Sequence, residues 1–93
     1  MELDAKFDEK IMSLVAEGIP GKFKRTRIVP QTHLQKELGL DSIGMLSLVF
    51  RFEEVFGIDI AKLGIDIDIA RVKTVSDLLG LARLIMTKVE AVG

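Results

Sequence analysis

Leu38-Gly39-Leu40-Asp41-Ser42-Ile43 sets one hydroxyl at the start of a long apolar helix, directly after an acid able to cap it. Asp41 at the N-cap can accept hydrogen bonds from the free N–H groups of the first turn, which leaves Ser42 at the first helical position, pointing outward. The partial positive charge of the helix N-terminus lies beside that hydroxyl and would favour a phosphate ester on it. Asp-Ser is also a common way merely to begin a helix, so these residues by themselves leave both readings open.

The helix beginning there, Ser42 to about Phe56, carries apolar residues on more than one face. Met45, Leu48, Val49, Phe52 and Phe56 form a stripe at helical spacing that reads as core. Ile43, Leu46 and Phe50, at i, i+3 and i+7, form a second stripe turned well away from the first. A small domain can hardly bury both. Exposed, the second stripe would be an apolar patch beside Ser42 of the kind that marks a partner contact; otherwise it packs beneath the preceding connection. Gly44, in the first turn, costs about 1 kcal/mol of helix propensity relative to Ala and is expected to loosen that turn.

Upstream, Phe7, Ile11, Leu14 and Val15 predict a one-faced helix over about 4–17, with Asp4 as its cap, Gly18 at its end and Pro20 just beyond. The connection from Glu17 to Leu40 contains Gly18, Pro20, Gly21 and Pro30 and is longer than most loops of compact domains. Phe23, Ile28, Val29, Leu34 and Leu38 are expected to tie it back to the core. Downstream, the Ile-Asp alternation of Ile65-Asp66-Ile67-Asp68-Ile69 reads locally as strand, yet a lone strand has nothing to pair with. A short irregular helix within 61–71 is expected instead. Asp66 and Asp68 lack the glycine and terminal glutamate of a calcium loop, and no metal site is expected. Thr74 and Asp77 resemble a capping box for a last helix over 75–90, whose inner face is Val75, Leu78, Leu79, Ala82, Ile85 and Met86. The expectation is one all-α domain over 1–93.

Composition narrows the function. Apolar residues make up 48% of the chain, with five Phe and no Trp or Tyr, so an ordered domain is expected, and the lack of Cys excludes disulfides, thiolate metal sites and cysteine nucleophiles. No run approaches the roughly 20 apolar residues of a membrane span, and Met1-Glu2-Leu3-Asp4 is unlike a signal peptide; a cytoplasmic protein is expected. The net charge is −1, but Lys22, Lys24, Arg25, Arg27 and Lys36 make the long connection basic while Asp41 to Ile60 is acidic. Phe23 among those cations raises RNA or anionic lipid as ligands; so few charges and one aromatic read instead as a solvated loop, with no nucleic-acid partner. An enzyme is not expected either. The sequence around Ser42 misses the spacing of a nucleophile elbow, His33 is the one candidate imidazole base, and no acids pair convincingly.

The same hexapeptide, followed by Leu48-Val49-Phe50-Arg51-Phe52-Glu53-Glu54-Val55-Phe56-Gly57-Ile58-Asp59-Ile60 and later by Thr74-Val75, resembles the acyl carrier protein family and its peptidyl carrier relatives. The likeness runs from Ile28 to about Leu84. It implies a small four-helix bundle, three longer helices plus a short third one after a long first loop. It also implies that Ser42 carries 4'-phosphopantetheine, with Asp41 capping the helix beside it. The arm would hold an acyl or aminoacyl group as a thioester for fatty-acid, polyketide or related biosynthesis. The implied partners are a phosphopantetheinyl transferase and acyl- or aminoacyl-loading ligases, synthases or transferases, meeting a monomer through Ile43, Leu46, Ser47, Phe50, Glu53 and Glu54. Two departures stand out. Gly44 and Ser47 replace the acids that many fatty-acid carriers have early in this helix, and the region 61–72 is a few residues longer. Docking is therefore expected to lean on Ile43, Leu46 and Phe50, in a specialised member of the family. The alternative is a cofactor-free helical interaction module that binds through the same stripe.

Overall fold

The computed structural model describes residues 5–23 and 27–92. They form four α-helices, α1 (Ala5–Gly18), α2 (Leu34–Leu38), α3 (Ser42–Phe56) and α4 (Val75–Val92), joined by segments that include short 3-10 turns at Gly21–Phe23, Ile60–Leu63 and Ile69–Arg71. The three long helices pack because each carries one continuous apolar stripe. Phe7, Ile11, Leu14 and Val15 of α1 are buried against Met45, Leu48 and Phe52 of α3 and Val75, Leu78, Ala82, Ile85 and Met86 of α4. Phe56 closes one end of this core, its ring centroid 4.8 Å from that of Phe52 and 5.5 Å from that of Phe7. Leu34, Leu38 and Leu40 are buried with the same core.

The rim is laced by exposed ion pairs. Arg83 of α4 pairs with Asp8 of α1, and Arg51 of α3 reaches Glu17 of α1 at 2.8 Å. Such pairs are worth little in water, typically about 0–1 kcal/mol each, so the apolar stripes and not the charges hold the helices together.

Two features differ from the sequence expectation. Helix α2 lies inside what reads as a plain connection. It is only five residues long, too short to show a stripe, and its cap is a histidine: His33 Nδ1 accepts the Lys36 N–H at 3.1 Å, while the Glu37 carboxylate accepts the His33 N–H. The irregular helix expected within 61–71 takes the form of two 3-10 helices, Ile60–Leu63 and Ile69–Arg71, rather than one. Asp59 and Asp68 open them, accepting the N–H groups of Ala61 (3.1 Å) and Ala70 (3.2 Å). Ile65 and Ile67 between the turns, and Ile69 at the start of the second, are half-buried against the core while Asp66 and Asp68 face solvent. The period-2 alternation is therefore real, but it seats an extended segment on helices rather than pairing it in a sheet.

The connection is stapled where it passes α4. His33 and Thr74 form an isolated antiparallel bridge; Leu34 N–H donates to the Lys73 carbonyl (2.8 Å) and Val75 N–H to that of Thr32 (3.0 Å). Thr32, buried, takes the Val29 N–H on its hydroxyl at 2.8 Å. Val29 itself stays exposed, contrary to expectation, because its backbone serves the turn and leaves the side chain outside. At the start of α4, Thr74 Oγ1 accepts the Asp77 N–H and Asp77 accepts the Thr74 N–H, each at 3.1 Å, a reciprocal capping box. The expected cap of α1 at Asp4 lies outside the described residues.

Candidate functional site

The start of α3 is set by the six residues that precede and enter it. Leu38 and Leu40 are both buried, and between them Gly39 turns the chain with φ of 70°, so that Leu40 N–H returns to the Leu34 carbonyl at 2.9 Å. The Phe23 ring packs on Gly39 so closely that a Cβ there would stand 2.6 Å from the ring. Asp41 is extended, its Oδ1 accepts the Gly44 N–H at 2.9 Å and its carbonyl accepts the Met45 N–H at 2.8 Å.

Ser42 is thereby the first helical residue, and it is exposed. Among the described residues the N–H groups of Ser42 and Ile43 find no acceptor. The hydroxyl therefore stands at a helix end whose uncompensated donors favour an anion. Gly44 has a packing role in that turn: a Cβ would come within 3.3 Å of Leu40 Cδ2 and 3.5 Å of Asp41 Oδ1. The bare glycine leaves room for the buried leucine beneath that turn, a packing role beside its cost in helix propensity.

The second stripe of α3 is open to solvent. Ile43 is 74% exposed, Leu46 45% and Phe50 61%, and Ser47 is exposed among them. Glu54 is exposed and pairs with Arg51 at 3.4 Å. Glu53 is half-buried and takes the Ile60 N–H on Oε2 at 3.0 Å, so it organises the exit from α3 as well as bordering a shallow groove with Phe50 and Ile58. In the basic connection, Lys22 lies over the Phe23 ring at 5.2 Å and Arg27 is exposed; Lys24 and Arg25 lie outside the described residues.

Sequence reasoning missed the surroundings of Ser42 on its other side. A cavity of about 280 Å³ opens there, bordered by His33, Lys36, Ser42, Met45, Val72 and Lys73. The staple between the connection and the start of α4 and the packing of α3 on the Ile69–Arg71 turn bring these residues together, and nothing local in the sequence announces either. His33 does approach Ser42, but its Nδ1 is committed to the cap of α2. In the core, a separate apolar cavity of about 30 Å³ lies among Leu48, Phe52, Ile67, Leu78 and Ile85, room for roughly one water.

A family model described as the phosphopantetheine attachment site matches residues 13–85. Among curated proteins, the chain is similar to acyl carrier protein AcpXL of Rhizobium meliloti (strain 1021), 37% identical over 60 residues that cover 64% of this chain and 60% of the relative. Acyl carrier protein AcpXL of Rhizobium etli is 36% identical over 62% of this chain and 60% of its own, and that of Brucella melitensis biotype 1 is 34% identical over 62% and 59%. The chain thus spans about three fifths of the length of these relatives. No solved structure matches it significantly.

Proposed function

The chain belongs to the acyl carrier protein family, defined by the phosphopantetheine attachment site, and from that premise we propose that Ser42 bears the 4'-phosphopantetheine and that the protein delivers acyl groups to partner enzymes. The observation that carries the proposal is the position of Ser42: an exposed hydroxyl at the first residue of α3, held beside uncompensated helix donors by the Asp41 cap. The name shared by the curated relatives supports an acyl over an aminoacyl cargo.

The residues present fit the group. Ser42 is accessible to a transferase, its helix end favours the negative phosphodiester, and the cavity beside it leaves space for a flexible arm. In loading, the Ser42 oxygen forms the new bond to the phosphorus of the pantetheine half of coenzyme A. The pyrophosphate link breaks, 3',5'-ADP departs, and the hydroxyl proton passes to a base of the transferase. The bound group supplies a terminal thiol, which this cysteine-free chain lacks, and with it thioester chemistry. The chain's own part is to present that group and to dock. Ile43, Leu46 and Phe50 offer the apolar contact, with Ser47, Glu53 and Glu54 at its polar edge. The reaction chemistry then belongs to the partners, and the protein acts in the cytoplasm as a monomeric carrier rather than an enzyme. No helix among the described residues is long and apolar enough to cross a membrane.

Intact mass measured before and after incubation with a broad-specificity phosphopantetheinyl transferase and coenzyme A tests this. Wild type gains one phosphopantetheine and Ser42→Ala gains none. A folded wild type that gains nothing would overturn the attachment and favour a cofactor-free module binding through the stripe.

A further inference from the structure

The cavity beside Ser42 joins parts of the chain remote in sequence. At about 280 Å³ it lies just below the range of about 300–1,000 Å³ usual for small-molecule sites. One wall comes from His33 and α2, the other from Ile69 to Lys73, and Ser42 stands at the rim between them. The hydrogen bond from Leu34 N–H to the Lys73 carbonyl, 2.8 Å, locks the two walls together.

The charges around the rim are unequal. Lys36 and Lys73 border it, and neither side chain forms an ion pair among the described residues, although Lys73 lies in the field of Asp77. Asp41 is the carboxylate that borders the cavity. His33 also borders the cavity, its Nδ1 engaged by the Lys36 N–H. The cavity floor is apolar, formed by the buried Leu34, Leu40 and Met45.

A phosphodiester on Ser42 would feel the Asp41 carboxylate directly alongside. The uncompensated donors of the helix end offset that repulsion in part, and Lys36 and Lys73, which border the same cavity, bring two positive charges to it. The mixed polar and apolar lining suits the chain of amides and methylenes that pantetheine carries beyond its phosphate. We propose that this cavity is the resting cradle of the arm on Ser42, with Lys36 and Lys73 holding its phosphate. The inference rests on Ser42 being the attachment residue. A cradled arm would keep the thiol end close to the domain until a partner docks on Ile43, Leu46 and Phe50, which lie on exposed α3 surface that the cradle leaves uncovered.

Amide NMR of the ¹⁵N-labelled protein before and after enzymatic loading, with mass confirming complete conversion, decides the matter. The expected result is a set of shifts at residues 33–36 and 69–73 in addition to those flanking Ser42. In K36E/K73E, loaded to the same mass, the shifts at 69–73 are lost. Should the transferase reject that variant, added salt on the loaded wild type reads the same contact, because screening shrinks those shifts while leaving those next to Ser42. Shifts confined to residues 41–45 in fully loaded wild type would overturn the cradle and leave the attachment intact. No mass gain on wild type would overturn both.

Discussion

The ring of Phe23 rests on the bare backbone of Gly39, where a Cβ would stand 2.6 Å from the ring edge. That contact fastens the 3-10 turn after α1 to the tripeptide that delivers the chain into α3, three residues before Ser42. Gly39 also holds φ at 70°, a conformation L side chains rarely adopt. Gly39→Ala therefore suffers twice. The left-handed backbone costs about 1 kcal/mol, and the displaced ring adds about 1–3 kcal/mol of overpacking. Urea denaturation should show a loss of about 2 kcal/mol or more, and a loss of only about 1 kcal/mol, the backbone cost alone, would mean that the Phe23 contact does not form.

Asp41 holds the other side of the same entry. Its Oδ1 accepts the Gly44 N–H at 2.9 Å, and removing a cap of this kind costs about 1 kcal/mol. Asp41→Ala is expected to lose that much in denaturation, while Asp41→Asn, which keeps an acceptor oxygen, should retain most of it. Equal losses for the two variants would point to the charge instead of the hydrogen bond.

The legibility of these features tracks the range of the interactions that make them. The stripe of α1, the two faces of α3, the Asp41 cap and the Thr74–Asp77 box all depend on residues within a turn or two of one another, and spacing alone exposes them. Helix α2 escapes because five residues carry no period and because histidine is an unusual cap. The cavity beside Ser42 escapes for a different reason: Lys36 and Lys73 come to border one cavity through tertiary contacts that include the backbone pairing between the connection and the start of α4. Residues 65–69 are half legible. Their alternation correctly separates inward isoleucines from outward aspartates, but which partner covers the inward face is a tertiary fact.

Acid sensitivity should appear at the start of α4. Backbone N–H groups of Thr74 and Lys73 donate to the Asp77 carboxylate and hold it below its ordinary value of 3.8. A carboxylate depressed in the folded state contributes stability that is fully present above its unfolded value and is lost as pH falls through the folded one. Melting temperature followed from pH 6 downward should thus fall more steeply for wild type than for Asp77→Asn once the pH drops below about 4. Parallel curves would show that the capping box does not respond to protonation.

Docking and folding separate at the exposed stripe of α3. Phe50 is 61% exposed and Leu46 45%, so neither contributes much to the core, and substitutions at such positions usually stay within about 0.5 kcal/mol of wild type. An apolar contact with a partner is another matter, since truncating a central anchor commonly costs about 2 kcal/mol or more of binding, and a buried charge costs further. Leu46→Glu and Phe50→Ala should therefore keep the wild-type melting temperature while the transferase loads Ser42 at least about tenfold less efficiently, chiefly through a raised KM. Lys88→Ala, on the exposed side of α4, serves as the control that alters charge far along the chain from the stripe. A marked drop in melting temperature for Leu46→Glu would instead show that Leu46 belongs to the core, and unchanged loading by both variants would move the docking surface elsewhere.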